Sequence, residues 1–282
     1  MSEATADEVM AITASRLLAD HRVVFAGVGM PLLACALARR RQAPDLTIVL
    51  EGGIIGASLL PGHLPISTNE MRAAYGAQML TDITDIFLFA QRGFFDYGFL
   101  GAAQVDQYGN INTSVIGTVE HPRVRLPGSG GANDIISLCN ETFIVTQHEP
   151  RRFVERVDFI TSPGYLSGHG SREQAGLLFG RIGAVVTDLA LMDFEPASRR
   201  MRLRALQAGI TVDQVRRQTG FELLMADTIG ELPPPAAEEL LIYRTLRDGP
   251  PADGPGEAGA TGPAAAAGTS HAAAAPATGR PA

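Results

Sequence analysis

The chain has 282 residues, 45% of them hydrophobic and 19% charged, with a formal net charge of −7. That is enough apolar material for one large core or two small ones, and the mild acidity argues against a nucleic-acid surface, which calls for a basic face. All 23 cationic side chains are arginines, which removes Schiff-base and P-loop lysine chemistry.

The N-terminal run Met1 to Glu8 is acidic and polar, unlike the basic and then apolar pattern of an export signal. Val9, Ile12, Ala14, Leu17 and Leu18 recur at helical spacing and predict a helix over 6–20. A strand follows over 22–26, and Pro31 opens a helix that runs to Arg41, as suits proline at a first helical position. The β-branched run Leu46 to Leu50 predicts a buried strand that ends at Glu51. Helices over 69–79 and 82–92 lead to an apolar strand over 97–101, then a turn at Asp106 to Asn110. A glycine loop, Gly128 to Gly131, precedes another helix, and strands over 142–147, 156–160 and 182–187 complete the pattern.

Alternating strands and helices predict an α/β fold: a mostly parallel sheet with helices on both faces. Residues 1–247 read as one domain. Residues 248–282 are largely Pro, Gly and Ala, which bury too little surface to offset ordering, and read as a disordered tail. Cys35 and Cys139 lie far apart in apolar surroundings and read as buried thiols of a reducing compartment. No apolar run approaches the ~20 residues of a membrane span. A cytoplasmic protein without membrane contact is expected.

Ligands of such folds gather where loops leave the carboxyl ends of strands. Three loops qualify: Gly27-Val28-Gly29-Met30-Pro31, Glu51-Gly52-Gly53, and Gly128 to Asn133. The first invites a dinucleotide reading, and Glu51 falls 22 residues after Gly29, but Leu32 stands where the third glycine of the fingerprint belongs. The third loop presents backbone N–H groups to an anion or is a plain turn. Glu51 itself has two local readings. It ends a strand and points to water, or it is a carboxylate held in open space by two glycines so that it can attack. The six histidines are scattered with no metal-ligand spacing. His148, in a charged run before Arg151 and Arg152, reads as a solvated surface turn.

These residues together resemble the β (B) subunit of class I CoA-transferases, most closely that of glutaconate CoA-transferase. The resemblance runs from the first helix to about residue 225. Gly27 to Leu32, Ala43 to Leu46, Gly101 to Asp106, Tyr108-Gly109-Asn110 with Asn112, and Gly128 to Asn133 carry it. Gln147-His148-Glu149 with Arg151-Arg152-Phe153, and Thr161 to Gly164, match the glutaconate branch. The resemblance implies that Glu51 is the nucleophile, although Gly52 stands where the family often has Ser or Asn. Glu51 would take the acyl group as a mixed anhydride and then carry CoA as a glutamyl thioester. The resemblance further implies that Gly27, Gly29, Gly52, Gly53, Gly128, Ser129, Gly130, Gly131, Ala132 and Asn133 line the CoA or oxyanion side of the cleft. Gln104, Asn110 and Asn112 would support it. No permanently bound cofactor or metal is implied, the CoA thioester being a substrate, and an α subunit is the expected partner in a hetero-oligomer. Competing readings are a thioester or ring-opening hydrolase of the same fold, an NAD-dependent oxidoreductase, and a ligand-binding regulator.

Overall fold

Short apolar runs build the centre of the computed structural model, which describes residues 3–250. The first half comprises α1 (Ala6–Ser15), β1 (Val23–Phe25), α2 (Met30–Arg39), β2 (Thr47–Leu50), β3 (Ile54–Ile55) and β4 (Met79–Leu80). It continues through α3 (Ile83–Gln91), β5 (Tyr97–Leu100), β6 (Gln104–Val105), β7 (Ile111–Asn112), β8 (Val115–Gly117), β9 (Pro122–Arg125) and α4 (Ala132–Leu138). The second half comprises β10 (Glu141–Val145), α5 (Ser171–Gln174), β11 (Ile182–Val186), β12 (Ala190–Phe194), β13 (Met201–Leu206), α6 (Val212–Arg217), β14 (Leu224–Glu231) and α7 (Ala237–Asp248).

Ten strands form one sheet in the order β14-β13-β12-β11-β10-β5-β1-β2-β3-β4. The five central strands, β11 to β2 in that order, are parallel, and β12 and β3 turn back antiparallel at either side. Side chains alternate between sheet faces. Val24, Ile48 and Leu50 therefore pack with Met10, Leu32 and Cys35 of α1 and α2. Phe25 and Val49 pack with Ile86, Ala90 and Ile135 of α3 and α4 on the other face. Gly98 lets α4 sit directly on the sheet, since a Cβ there would lie 2.6 Å from Ile135 Cγ2 and 3.0 Å from Cys139 Sγ. Both cysteines are buried free thiols. A third layer forms where α7 covers α1 and α2 through Leu240, Tyr243 and Leu246.

The sheet is thus mostly parallel with helices on both faces, as the alternation predicts. Local differences have physical causes. The segment read as a helix over 69–79 holds only a 3-10 turn at Met71–Ala74, because Gly76 turns the chain at φ +60° and β4 then pairs with β3. The run 156–160 forms no strand. Asp158 is held at the surface instead, accepting from Gln104 Nε2 (3.3 Å) and from the Gly117 N–H (2.8 Å). The first helix stops at Ser15, five residues short of the expected end. The disordered tail expected over 248–282 falls almost wholly on residues outside those described. No helix among the described residues is long and apolar enough to cross a membrane.

Candidate active site

Strand order reverses at β1: the chain goes from β1 to β2 on one side and builds β5, β10 and β11 on the other. Ligand crevices of parallel sheets open at such a point, beyond the carboxyl ends of the strands. Phe25 pairs in register with both Val49 and Gly98. Two residues further along each strand come Gly27, Glu51 and Leu100, so the three chains leave the sheet side by side at this edge.

Glu51 is half-buried and has no hydrogen-bond or ion-pair partner among the described residues. Burial, and after it the nearby charge of Asp134, push its carboxyl above the ordinary carboxylate value of 4.5. Its surroundings explain this. A Cβ placed on Gly131 would lie 3.2 Å from Glu51 Oε1 and 2.9 Å from Phe87 Cζ, so an aromatic ring and a bare backbone stand where water or a cation would otherwise be. Phe87 in turn packs on Phe25, ring centroids 5.9 Å apart.

The glycine positions divide into two kinds. Gly27, Gly29, Gly128 and Gly130 face open space, with no atom within 4 Å of a Cβ placed there. Gly29, Gly128 and Gly130 also take φ of +80°, +97° and +49°, which other residues rarely adopt. Gly52 and Gly53 are closed in. A side chain at 52 would collide with the Thr68 carbonyl and the Asn69 side chain, and one at 53 with the Thr81 carbonyl. The absence of a side chain at Gly52 is thus matched by the 68–69 segment lying across it.

In the loop before α4, the Gly128 N–H donates to Thr113 O (2.8 Å) and the Ala132 N–H to Ser129 O (3.0 Å). The Asn133 N–H donates to Ser129 Oγ (3.3 Å). The N–H groups of Ser129, Gly130 and Gly131 have no acceptor among the described residues. The structure therefore separates the loop's engaged amides from its unengaged ones and brings Gly131 to Glu51. Asn112 supports this loop from behind. Its amide donates to Gln104 Oε1 and Val115 O, both at 2.7 Å, and its carbonyl receives the Ser114 N–H (2.9 Å). The adjacent Thr113 hydroxyl donates to Gly128 O (2.9 Å). Asn110 lies in a different network, bonded to Asp106 and to the backbone of Gly164 and Leu166.

A family model described as Coenzyme A transferase matches residues 8–218. The chain belongs to the coenzyme A transferase family. It is 39% identical over 247 residues to the β (B) subunit of the 3-oxoadipate CoA-transferase of Pseudomonas knackmussii, covering 87% of this chain and 94% of that one. It is 36% identical to the β (B) subunit of the glutaconate CoA-transferase of Acidaminococcus fermentans, covering 84% and 91%. The crystal structure of glutaconate coenzyme A-transferase from the same organism superposes with a TM-score of 0.81 at 32% identity, over 87% of this chain and 95% of that one.

In this CoA-transferase chain two neighbours of Glu51 escaped the sequence reading. Asp134 had a legible signal, an acid in the first turn of the helix after the glycine loop. Phe87 had none, because only the packing of α3 against α4 carries it to the site. His148 departs from the expected surface turn. It is buried, stacked on Phe153 at 4.0 Å, and its ring nitrogens meet Thr187 Oγ1 (3.1 Å) and Thr219 Oγ1 (2.9 Å). Burial lowers its pKa to about 4. Asp20, His21 and Asp45 bring three possible metal ligands together. They precede β1 and β2 and so lie at the amino edge of the sheet, opposite Glu51.

Proposed function

We propose that the chain is the β (B) subunit of a two-subunit CoA-transferase in which Glu51 is the nucleophile. One observation carries this reading: among the described residues Glu51 stands unpaired and partly desolvated at the strand-reversal edge, against the unengaged amides of the Gly128 loop. A paired surface carboxylate would be masked by its partner; this one is not.

Glu51 attacks the donor thioester carbonyl, and the oxyanion that forms receives hydrogen bonds from unengaged N–H groups of the loop. Losing one such donor typically costs about 3 kcal/mol of transition-state stabilisation. Collapse expels CoA thiolate and leaves an acyl-glutamyl anhydride. The thiolate attacks the glutamyl carbonyl, releases the donor acid, and leaves a glutamyl-CoA thioester. An acceptor carboxylate runs the steps in reverse, so no proton or electron is gained or lost overall. The substrates are an acyl-CoA and a carboxylic acid, of the dicarboxylic or 3-oxo type named for the relatives.

The apolar edge of the sheet supports a partner subunit. Ile66, Met71, Tyr75, Met79, Leu80 and Ile83 are exposed in one stretch around edge strand β4, next to the segments that lie on Gly52 and Gly53. An uncovered apolar strand edge of this kind is a docking or aggregation surface.

The test is peptide mass spectrometry on the chain co-purified with its α subunit, incubated with glutaryl-CoA or acetoacetyl-CoA and trapped with borohydride. A CoA adduct or its reduced product on the Glu51 peptide, absent in Glu51→Ala, is expected. Turnover without any trapped species, undiminished in Glu51→Ala, would sink the reading.

A further inference from the structure

A cavity of about 500 Å³ lies beside the same sheet edge, and the catalytic steps above do not use it. Gln104, Ile116, Arg123, Val124, Arg151 and Arg152 line it. Three guanidiniums thus meet apolar walls from the β8–β9 hairpin. Two carboxylates stand nearby. Glu149 pairs with Arg151 and lies 3.4 Å from Arg152 Nε, and Asp158 lies 4.0 Å from Arg123. Asp158 already accepts from the Gly117 N–H and from Gln104, so its hold on Arg123 is weak. Three positive groups against two negative ones leave a net positive cavity, and Arg123 is its least engaged cation.

The cavity is tied to the Glu51 site on two sides. The Arg152 guanidinium donates to Ala102 O (2.9 Å), two residues past the carboxyl end of β5. Neighbouring strands lie about 4.8 Å apart, so the end of β5 is about 10 Å across the sheet from that of β2. The hairpin that carries Arg123 runs directly into the Gly128 loop, whose Gly131 meets Glu51.

We infer that this cavity binds a remote anionic group of the substrate whose carbonyl reacts at Glu51. Arg123, Arg151 and Arg152 are the anion-binding residues. The inference rests on the transferase reading for the identity of the ligand. The anion is a CoA phosphate or the distal carboxylate of a dicarboxylic acyl group. Either way, binding energy collected far from the reacting bond orients the thioester against Glu51.

Arg123 is exposed, so its replacement leaves the fold in place. Kinetics of the enzyme co-purified with its α subunit are measured for wild type, Arg123→Glu, Arg123→Ala and Arg123→Lys. Arg123→Glu is expected to raise KM about tenfold or more for the substrate that carries the anion, with Arg123→Lys close to wild type and kcat little changed. A rise for glutaryl-CoA and acetoacetyl-CoA alike, absent with the acyl-pantetheine analogues, assigns the phosphates. A rise confined to glutarate and glutaryl-CoA, absent for acetate and acetoacetyl-CoA, assigns the carboxylate. Unchanged KM values for every substrate, with the Glu51 adduct still forming, overturn the inference and leave the transferase reading standing. If wild type forms no adduct, that reading fails, and direct titration of CoA and of glutarate decides the cavity alone. Binding weakened by Arg123→Glu supports it. Equal binding in both proteins, or none in wild type, overturns it.

Discussion

At the residue scale the governing fact is a carboxylate kept short of partners. A carboxyl whose pKa is raised by folding stabilises the protein only while protonated, below its ordinary value, and that contribution is lost as pH rises through the folded pKa. Ionised Glu51 therefore opposes folding, and Glu51→Gln is expected to raise the melting temperature while abolishing transfer. Calorimetry and the assay on one preparation check both halves. If Glu51 is the proposed nucleophile, attack needs its ionised form, and the acid limb of kcat/KM is expected above the ordinary carboxylate value. Asp134→Asn removes the second cause of the shift, and the limb is expected to move to lower pH in a pH–rate profile. His148 acts in the other direction. Its imidazole is neutral in the fold, so stability is full above 6.5 and is lost as pH falls from there toward about 4. Acid titration of unfolding free energy should show His148→Gln losing that dependence.

At the scale of elements, glycines separate the loops that face open space from those closed in by a neighbouring chain. Gly131 has ordinary backbone angles, φ −79° and ψ 1°, so Gly131→Ala keeps the fold and pushes a methyl toward Glu51 and Phe87. Activity is expected to fall, with a modest drop in melting temperature as the Phe87 ring gives way. Gly53 has φ +95° and lies on the Thr81 carbonyl, so Gly53→Ala is expected to cost about 2–3 kcal/mol in denaturant unfolding. The central strands and the helices between them were legible because their alternation is clean: Val24 and Ile48 face one way, Phe25 and Val49 the other. The parts that were not legible follow from longer-range pairing. β3 and β4 are two residues each and exist only as successive antiparallel additions, β3 to β2 and β4 to β3, so nothing periodic marks them. The 156–160 run carries strand-forming residues, yet its Asp158 is claimed by Gln104 and Gly117 from another part of the chain. Glu51 could be singled out from its flanking glycines, whereas its desolvation comes from Phe87 and Gly131, 36 and 80 residues away, and no local pattern carries that.

At the scale of the whole molecule, the parallel centre is closed by antiparallel strands at both ends, but only one end is polar enough to face water. The β4 edge, with Ile66, Met71 and Leu80 exposed, predicts that the chain made alone self-associates and that co-expression with an α subunit yields a defined complex with a higher melting temperature. Size-exclusion chromatography with light scattering on both preparations checks this. A monodisperse monomer from the chain alone would count against the edge as an interface.

The layer of α7 over α1 and α2 joins opposite ends of the sequence. Glu8 is buried in the first helix and receives Arg244 Nε (2.7 Å) and Nη2 (2.9 Å) from the last; Glu239 returns the arrangement by accepting from Arg16 Nε (2.9 Å). Arg244 holds the pKa of the Glu8 carboxyl at about 2, and Arg244→Met, which leaves Glu8 only the Thr5 N–H and Arg247 at 3.9 Å, is expected to cost about 2 kcal/mol. During synthesis this closure has a timetable. About 210 residues separate the end of α2 from the end of α7, and at about 5–20 residues per second the ribosome needs roughly 10–40 s to deliver them. Over that interval the N-terminal helices are translated but uncovered, with Leu33 and Leu37 still open to solvent. The nascent chain therefore carries a sticky face that vanishes only when α7 has emerged, which makes the interval before then the one in which chaperones matter most to this protein.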